Sequence, residues 1–314
     1  MSQRSSRTLS AGLALLFILG SLAFPRLLQA GEGGGSLYPG GVEDFMAGAL
    51  PPAGTKVFIN YFTTYDACRL KDDNGNNKDT FRLHVVSNAL RFVDVTKVRV
   101  LGGDLLAHVI IPMLYEHVAL SAGAASIADQ GKAGVGDIEF GPAIAWHPSP
   151  TFHHVLGVDV VAPTGQYQKT DVVNVGRNYW GLDPIWAFTY LGGGDSPLPG
   201  LETSAKVMYW FNTQNSAADY RSGDEFSFDY LVGYHRGDWV FGANGYFMVQ
   251  TSDDVKSGRS VAPNGDRGRA FSLGPALQYK AAKGVEVTLK YQRDLSAHDR
   301  PVGDHYWLKL IRPF

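Results

Sequence analysis

The stretch "YWLKLIRPF", Tyr306 to Phe314, decides the fold. Tyr306, Leu308, Leu310 and Phe314 share one parity, and Trp307, Lys309 and Ile311 share the other. A soluble domain ends most often on a polar, frayed tail. This chain ends on a period-2 strand that carries large apolar residues and stops on an aromatic ring, which is the pattern of a strand with one face in hydrocarbon.

The other end of the chain points the same way. Arg4 and Arg7 precede an apolar run from Ala11 to Phe24, followed by Leu28-Gln29-Ala30. A basic region, a short apolar core and a small-residue cleavage site predict a secretory signal peptide over residues 1–30. The run is short for a membrane helix, and no Cys follows it to carry a lipid. Net charge is −2, with charged residues at 18% and 37 glycines, so a nucleic-acid partner is not expected. One cysteine, Cys68, excludes a disulfide scaffold.

Between residues 55 and 314 the chain reads as about twelve strand cores: 55–66, 84–95, 103–114, 135–147, 154–163, 180–191, 200–212, 225–235, 238–250, 270–280, 284–295 and 303–314. In one of them Phe226, Phe228, Tyr230, Val232 and Tyr234 oppose Glu225, Ser227, Asp229 and Gly233. Another sets Val285, Val287, Leu289 and Tyr291 against Glu286, Thr288 and Lys290. Alternate connections are long and polar: 67–83 with "KDDNGNNKD", 115–134, 164–179, 213–224, 251–269 and 296–302. The others are shorter on average, as in "HRGDW" (235–239) and "AAKG" (281–284). Long loops at one end and short turns at the other predict an all-β, transmembrane, antiparallel up-and-down barrel in the outer membrane of a Gram-negative bacterium. Only closed barrels and helices satisfy their backbone in hydrocarbon. Residues 31–54 form a leader whose "GGVEDFMAGALPPAG" (Gly40–Gly54) is read either as a periplasmic segment or as a plug. Val42–Leu50 are expected to make one or two helical turns, stopped by Pro51-Pro52.

No Gly-x-Ser-x-Gly, His-Glu-x-x-His or paired-Cys spacing is present, so neither enzymatic catalysis, a cofactor nor a metal is expected. Asp72–Asn77 lacks the ligand spacing of a calcium loop. His153 and His154 are adjacent on a strand and point to opposite faces, so a two-His metal site is not expected there. With the aromatic parity facing lipid, Asp137, Glu139, Asp159, Asp183, Lys206, Asp229, Lys280, Glu286, Lys290 and Lys309 point into the lumen. There they either pair and rigidify the barrel or line a solute path. A twelve-stranded lumen lies between the filled eight-stranded case and the open porins.

Seven segments in order carry a resemblance: "GVGDIEFGP" (134–142), "APTGQY" (162–167), "NVGRNYW" (174–180), "YWFNTQNSAADYRSG" (209–223), "TSDD" (251–254), "GDRGRAFSLGP" (265–275) and the terminal "RPF". Over nearly all of the chain beyond residue 30, they resemble the outer-membrane transporters linked to the phenol-degradation meta-pathway, which include sphingosine-responsive members. The resemblance implies uptake of hydrophobic or aromatic small molecules such as phenolics and lipid-like amines. The alternative is a barrel with a structural, adhesion or lipid-processing role. Tyr167, Asn178, Tyr179, Trp180, Asn215, Asp219 and Tyr220, at the loop ends of the central strands, are the expected substrate vestibule. Expected partners are outer-membrane lipid and lipopolysaccharide, hydrophobic solutes, and the barrel-assembly machinery through the terminal strand. Arg312 departs from the apolar pattern of such strands, at a cost of about 0–1 kcal/mol near the interface.

The terminal strand makes a prediction. Deleting Phe314 is expected to lower the amount of protein assembled in the membrane of cells, while the barrels that do assemble keep their thermal stability. Unchanged membrane levels would remove the assembly role of this ring.

Overall fold

A computed structural model describes residues 35–314, apart from 79, 123 and 124; the expected signal peptide lies outside the described residues. The strands in chain order are β1 (Lys56–Leu70), β2 (Thr80–Val100), β3 (Gly103–Ala122), β4 (Ala125–Val135), β5 (Ile138–Ser149), β6 (Phe152–Ala162), β7 (Gly181–Leu191) and β8 (Leu201–Asn212). They continue with β9 (Gln214–Asn215), β10 (Tyr220–Arg221), β11 (Glu225–Arg236), β12 (Trp239–Gln250), β13 (Val255–Lys256), β14 (Arg259–Ser260), β15 (Arg269–Lys280), β16 (Glu286–His298) and β17 (Pro301–Pro313). One antiparallel sheet holds thirteen of them, in the order β2-β1-β17-β16-β15-β12-β11-β8-β7-β6-β5-β3-β4, and the β2–β3 pairing closes it. β4 and β5 pair with successive halves of β3, so they form one stave and the barrel has twelve.

The terminal stretch completes the ring. β17 pairs with β1 from Val57↔Pro313 to Leu70↔Pro301 and with β16 on its other side. The Phe314 N–H donates to the Lys56 carbonyl at 2.8 Å. Leu308 and Tyr306 are exposed on the outer face, as are Phe92, Trp186, Phe241 and Leu289, whereas Trp307 and Lys309 are buried inside. Exposed apolar rings on every side are what a lipid-facing wall requires. Girdle ring pairs mark the short-turn end: Trp239–Tyr279, tilted, at 4.6 Å and Trp146–His154, stacked, at 5.1 Å between ring centroids.

Three expectations need correction. Tyr115–Gly134 is not a loop: β3 runs on to Ala122 and returns as β4. The returning sequence "ASIADQGKAGV" is small and polar on both faces, because a hairpin standing clear of the membrane has no lipid face to keep apolar; the period-2 signal is therefore missing. Ser296–Val302 is also largely strand, leaving only Asp299 and Arg300 as the turn between β16 and β17. Finally, Val42–Leu50 is not helical. It is extended, with one turn over residues 45–48.

The reason lies in where that segment runs. Residues 35–53 thread the lumen, and their backbone N–H groups find partners on the wall instead of on a preceding turn. Gly41 N and Glu43 N donate to Asp229 at 2.7 and 2.9 Å. Met46 N donates to Glu202 at 2.6 Å and Gly48 N to Thr189 at 3.0 Å. Gly41 has φ +82°, and a Cβ on Gly48 would stand 2.4 Å from the Phe188 Cα, so both positions depend on glycine. Lys290 donates to the carbonyls of Gly41 and Val42 at 2.5 and 2.7 Å. Asp44 pairs with Lys290 at 2.9 Å and also with Lys309, all three being buried. Arg91 pairs with Glu43 at 2.6 Å. Phe45 packs in a cluster with Leu231, Val240 and Ala276. Of the two readings of the leader, the plug is the one these contacts describe.

Removing one member of a buried charge cluster leaves the others uncompensated and costs about 3–5 kcal/mol. Asp44→Asn is therefore expected to lower the temperature at which the folded barrel converts to its heat-denatured gel form. Adding Lys290→Met and Lys309→Met should restore most of the loss. An unchanged transition in Asp44→Asn would mean that the cluster does not fasten the segment.

Candidate functional site

The plug divides the lumen into two chambers. The upper one, about 300 Å³, lies towards the long loops. Its walls are aromatic and aliphatic, with Tyr61, Val85, Leu114, Trp210 and Trp307 facing Tyr38 of the plug. Glu116, Asp137, Glu139 and Glu225 supply acidic groups, and Arg177 and Arg300 basic ones. The lower chamber, about 440 Å³, lies towards the short turns and is bounded by Phe45 and Leu50 of the plug with Val57, Ile59 and Ile311 of the wall.

Strand alternation explains why the layer between them is charged, since every second residue of β5, β6, β8 and β11 faces inward. Asp159 accepts from Lys206 at 3.1 Å and lies 2.8 Å from His108 Nε2. Tyr38 donates to Asp229 at 2.7 Å, lies beneath the Lys206 ammonium at 5.0 Å, and stacks on Trp210 at 6.2 Å. Glu139 Oε1 and Asp183 Oδ2 are buried and reach no hydrogen-bond partner among the described residues. His108, Glu139 and Asp159 bring ligand-type atoms within 4.8 Å of one another. Lys206 already supplies a cation to this group, so the trio reads as an ion-pair network.

The residues expected to line the lumen divide into groups by contact. Asp159, Asp183, Lys206, Asp229, Lys290 and Lys309 are buried in the inner layer, and four of these (Lys206, Asp229, Lys290 and Lys309) touch the plug. Glu139 borders the upper chamber and Glu286 the lower. Glu286 also accepts from Gln278 at 3.1 Å. Asp137 borders the upper chamber and ties down a loop, accepting from Gly165 N at 2.8 Å and Arg177 N at 2.6 Å. Lys280 lies 3.3 Å from His235.

Asn178, Asn215, Asp219 and Tyr220 are drawn into one cluster of loops. β9, β10, β13 and β14 form a separate four-stranded sheet that joins two long loops. Asn178 donates to Asn215 at 2.7 Å, and Asn215 accepts from Ala217 N at 3.1 Å. Tyr220 bonds Asp254, and Asp219 accepts from Gln214 at 2.5 Å. Asn178 and Asp219 have φ of +60° and +52°, the turn geometry that Asn and Asp tolerate best. Tyr179 and Tyr220 are buried, and Tyr167 is half-buried. Trp180 stands apart: it is 49% exposed and shares the outer parity of Leu182 and Trp186, which puts its ring on the lipid side and not over the chamber.

Tyr38, Glu43 and Asp44 were missed as functional residues. Local pattern carries no signal for them, because their partners Asp229, Arg91, Lys290 and Lys309 lie far along the chain.

Several known barrels are similar in shape. The COG4313 outer membrane channel from Pseudomonas putida F1 aligns with TM-score 0.72 at 18% identity, over 87% of this chain and 100% of that one. The beta domain of the Bordetella autotransporter BrkA (TM-score 0.45, 13% identity, 83% of this chain and 100% of that one) and the NanC porin (0.43, 10%, 80% and 98%) align less well. No curated protein is significantly similar in sequence. The fold is that of an outer-membrane β-barrel. A family model described as "Putative MetA-pathway of phenol degradation" matches residues 67–310, and the chain belongs to that family.

Proposed function

We propose that the protein is an outer-membrane channel for the uptake of hydrophobic or aromatic small molecules, without enzymatic activity. The observation that carries this reading is the upper chamber, which is walled by Tyr61, Trp210 and Trp307, closed beneath by Tyr38 and edged by a few charged groups. Apolar walls with sparse polar anchors are how proteins hold small hydrophobic ligands. The family's link to phenol degradation and the channel named in the similar Pseudomonas putida structure point the same way. In this reading Tyr167, Asn178, Tyr179, Asn215, Asp219 and Tyr220 shape the entrance to the chamber, and Trp180 anchors its rim in lipid. A solute then passes the plug by displacing it or leaves through the wall beside it. The terminal strand, with Phe314 70% exposed, is the segment that the assembly machinery reads.

The test is flux through reconstituted protein, comparing a phenolic solute with a sugar of similar size. Ala89 borders the upper chamber, so Ala89→Phe should fill it and cut phenolic flux by about tenfold, the equivalent of roughly 1.4 kcal/mol. The outward Trp180→Ala should leave flux unchanged in barrels that fold. If wild-type protein passes phenolics no faster than empty liposomes, the structural or lipid-processing reading replaces this one.

A further inference from the structure

We propose that His147 and His153 form a binding site for a divalent transition-metal ion at the periplasmic mouth of the lumen, with copper(II) or nickel(II) as the best-fitting ions. The two imidazoles come from the adjacent strands β5 and β6, and their Nδ1 atoms lie 2.8 Å apart. His153 borders the lower chamber, and His147 is exposed. His153 is thus paired across the hairpin with His147, while its sequence neighbour His154 points outward between Trp146 and Phe152.

At 2.8 Å between two ring nitrogens only one can carry a proton, so the other presents a lone pair. Losing that proton leaves two lone pairs on neighbouring rings. Two nitrogens bound side by side in a square-planar ion, with bonds of about 2.0 Å, stand roughly 2.8–2.9 Å apart, whereas a tetrahedral zinc site sets them about 3.3 Å apart. The observed spacing matches the square-planar case. The rings meet at 63° with centroids 5.0 Å apart, so modest side-chain rotation turns both lone pairs onto one ion.

The hairpin that carries the pair is held on several sides. Ser149 Oγ accepts from Phe152 N at 3.0 Å, and the Trp146 indole donates to the Leu101 carbonyl at 3.0 Å. Asp104 on β3 lies opposite Ala145, two residues from His147, which places a carboxylate diagonally across the strand as a third ligand or as hydrogen-bond support. Its only ion-pair partner among the described residues is Arg99, at 3.6 Å, and that arginine is largely exposed.

The experiment uses the untagged, folded barrel in detergent with Cys68→Ser, to remove the exposed thiol. Copper(II) is added to one equivalent and read by electron paramagnetic resonance and calorimetry. The expected result is one ion per barrel with nitrogen hyperfine structure. Affinity should fall by about a hundredfold or more in His147→Ala and in His153→Ala, since even losing a group that only orients a ligand costs about 10–100-fold. Nickel(II) should follow the same pattern, with zinc(II) weaker. Both variants should keep the heat-dependent gel shift of a folded barrel. Absence of stoichiometric copper in the parent protein would overturn the proposal, as would equal affinity in the folded variants.

Discussion

Asp44 is one carboxylate shared by two buried lysines, Lys290 and Lys309, and much of the interior depends on it. A closed wall must turn alternate residues inward, and here several of those residues are cations. A buried cation without a partner is expensive, by several kcal/mol. The wall's own acids serve only part of this charge, with Asp159 taking Lys206. Glu43 and Asp44 supply the remainder, and in doing so fix residues 35–53 inside the barrel. The backbone of the segment follows, with Asp229, Glu202 and Thr189 receiving N–H groups that a helix would have satisfied internally.

This dependence also explains why a charged fastening suits a plug. Well-packed apolar side chains would hold a segment at least as firmly as buried ion pairs do. Ion pairs differ in having water and solute as alternative partners, so their hold can be exchanged. The chambers above and below meet at this fastening, with aromatic walls on the loop side and the short-turn mouth on the other. A solute in the upper chamber lies directly against Tyr38, whose hydroxyl is bonded to the Asp229 that receives Gly41 and Glu43.

The sequence was legible where lipid enforces a pattern. Phe226 to Tyr234 and Val285 to Tyr291 alternate because one face meets hydrocarbon, and the strands containing them fall within a residue or two of expectation at most ends. Legibility ended where lipid ends. The β3–β4 hairpin beyond the membrane alternates in nothing that periodicity detects, and the small sheet of β9, β10, β13 and β14 is built from two-residue strands that local pattern does not mark. The plug was visible as a proline-ended stretch, but its extended path is decided by partners almost two hundred residues away, as with Gly41 and Asp229. Trp180 shows a related limit: an aromatic residue beside a loop reads equally as a ligand wall or a lipid anchor, and its parity settles the matter only once the start of β7 is fixed.

The occupancy of the lumen by residues 35–53 is measured most directly by single-channel conductance in planar bilayers. The comparison is between the full barrel and one whose exported form begins at residue 54, each verified as folded by its heat-dependent gel shift. The ion-paired plug predicts small, intermittent currents for the full barrel and larger, steady steps for the shortened one. Equal conductance in two folded barrels would contradict a lumen closed by this segment.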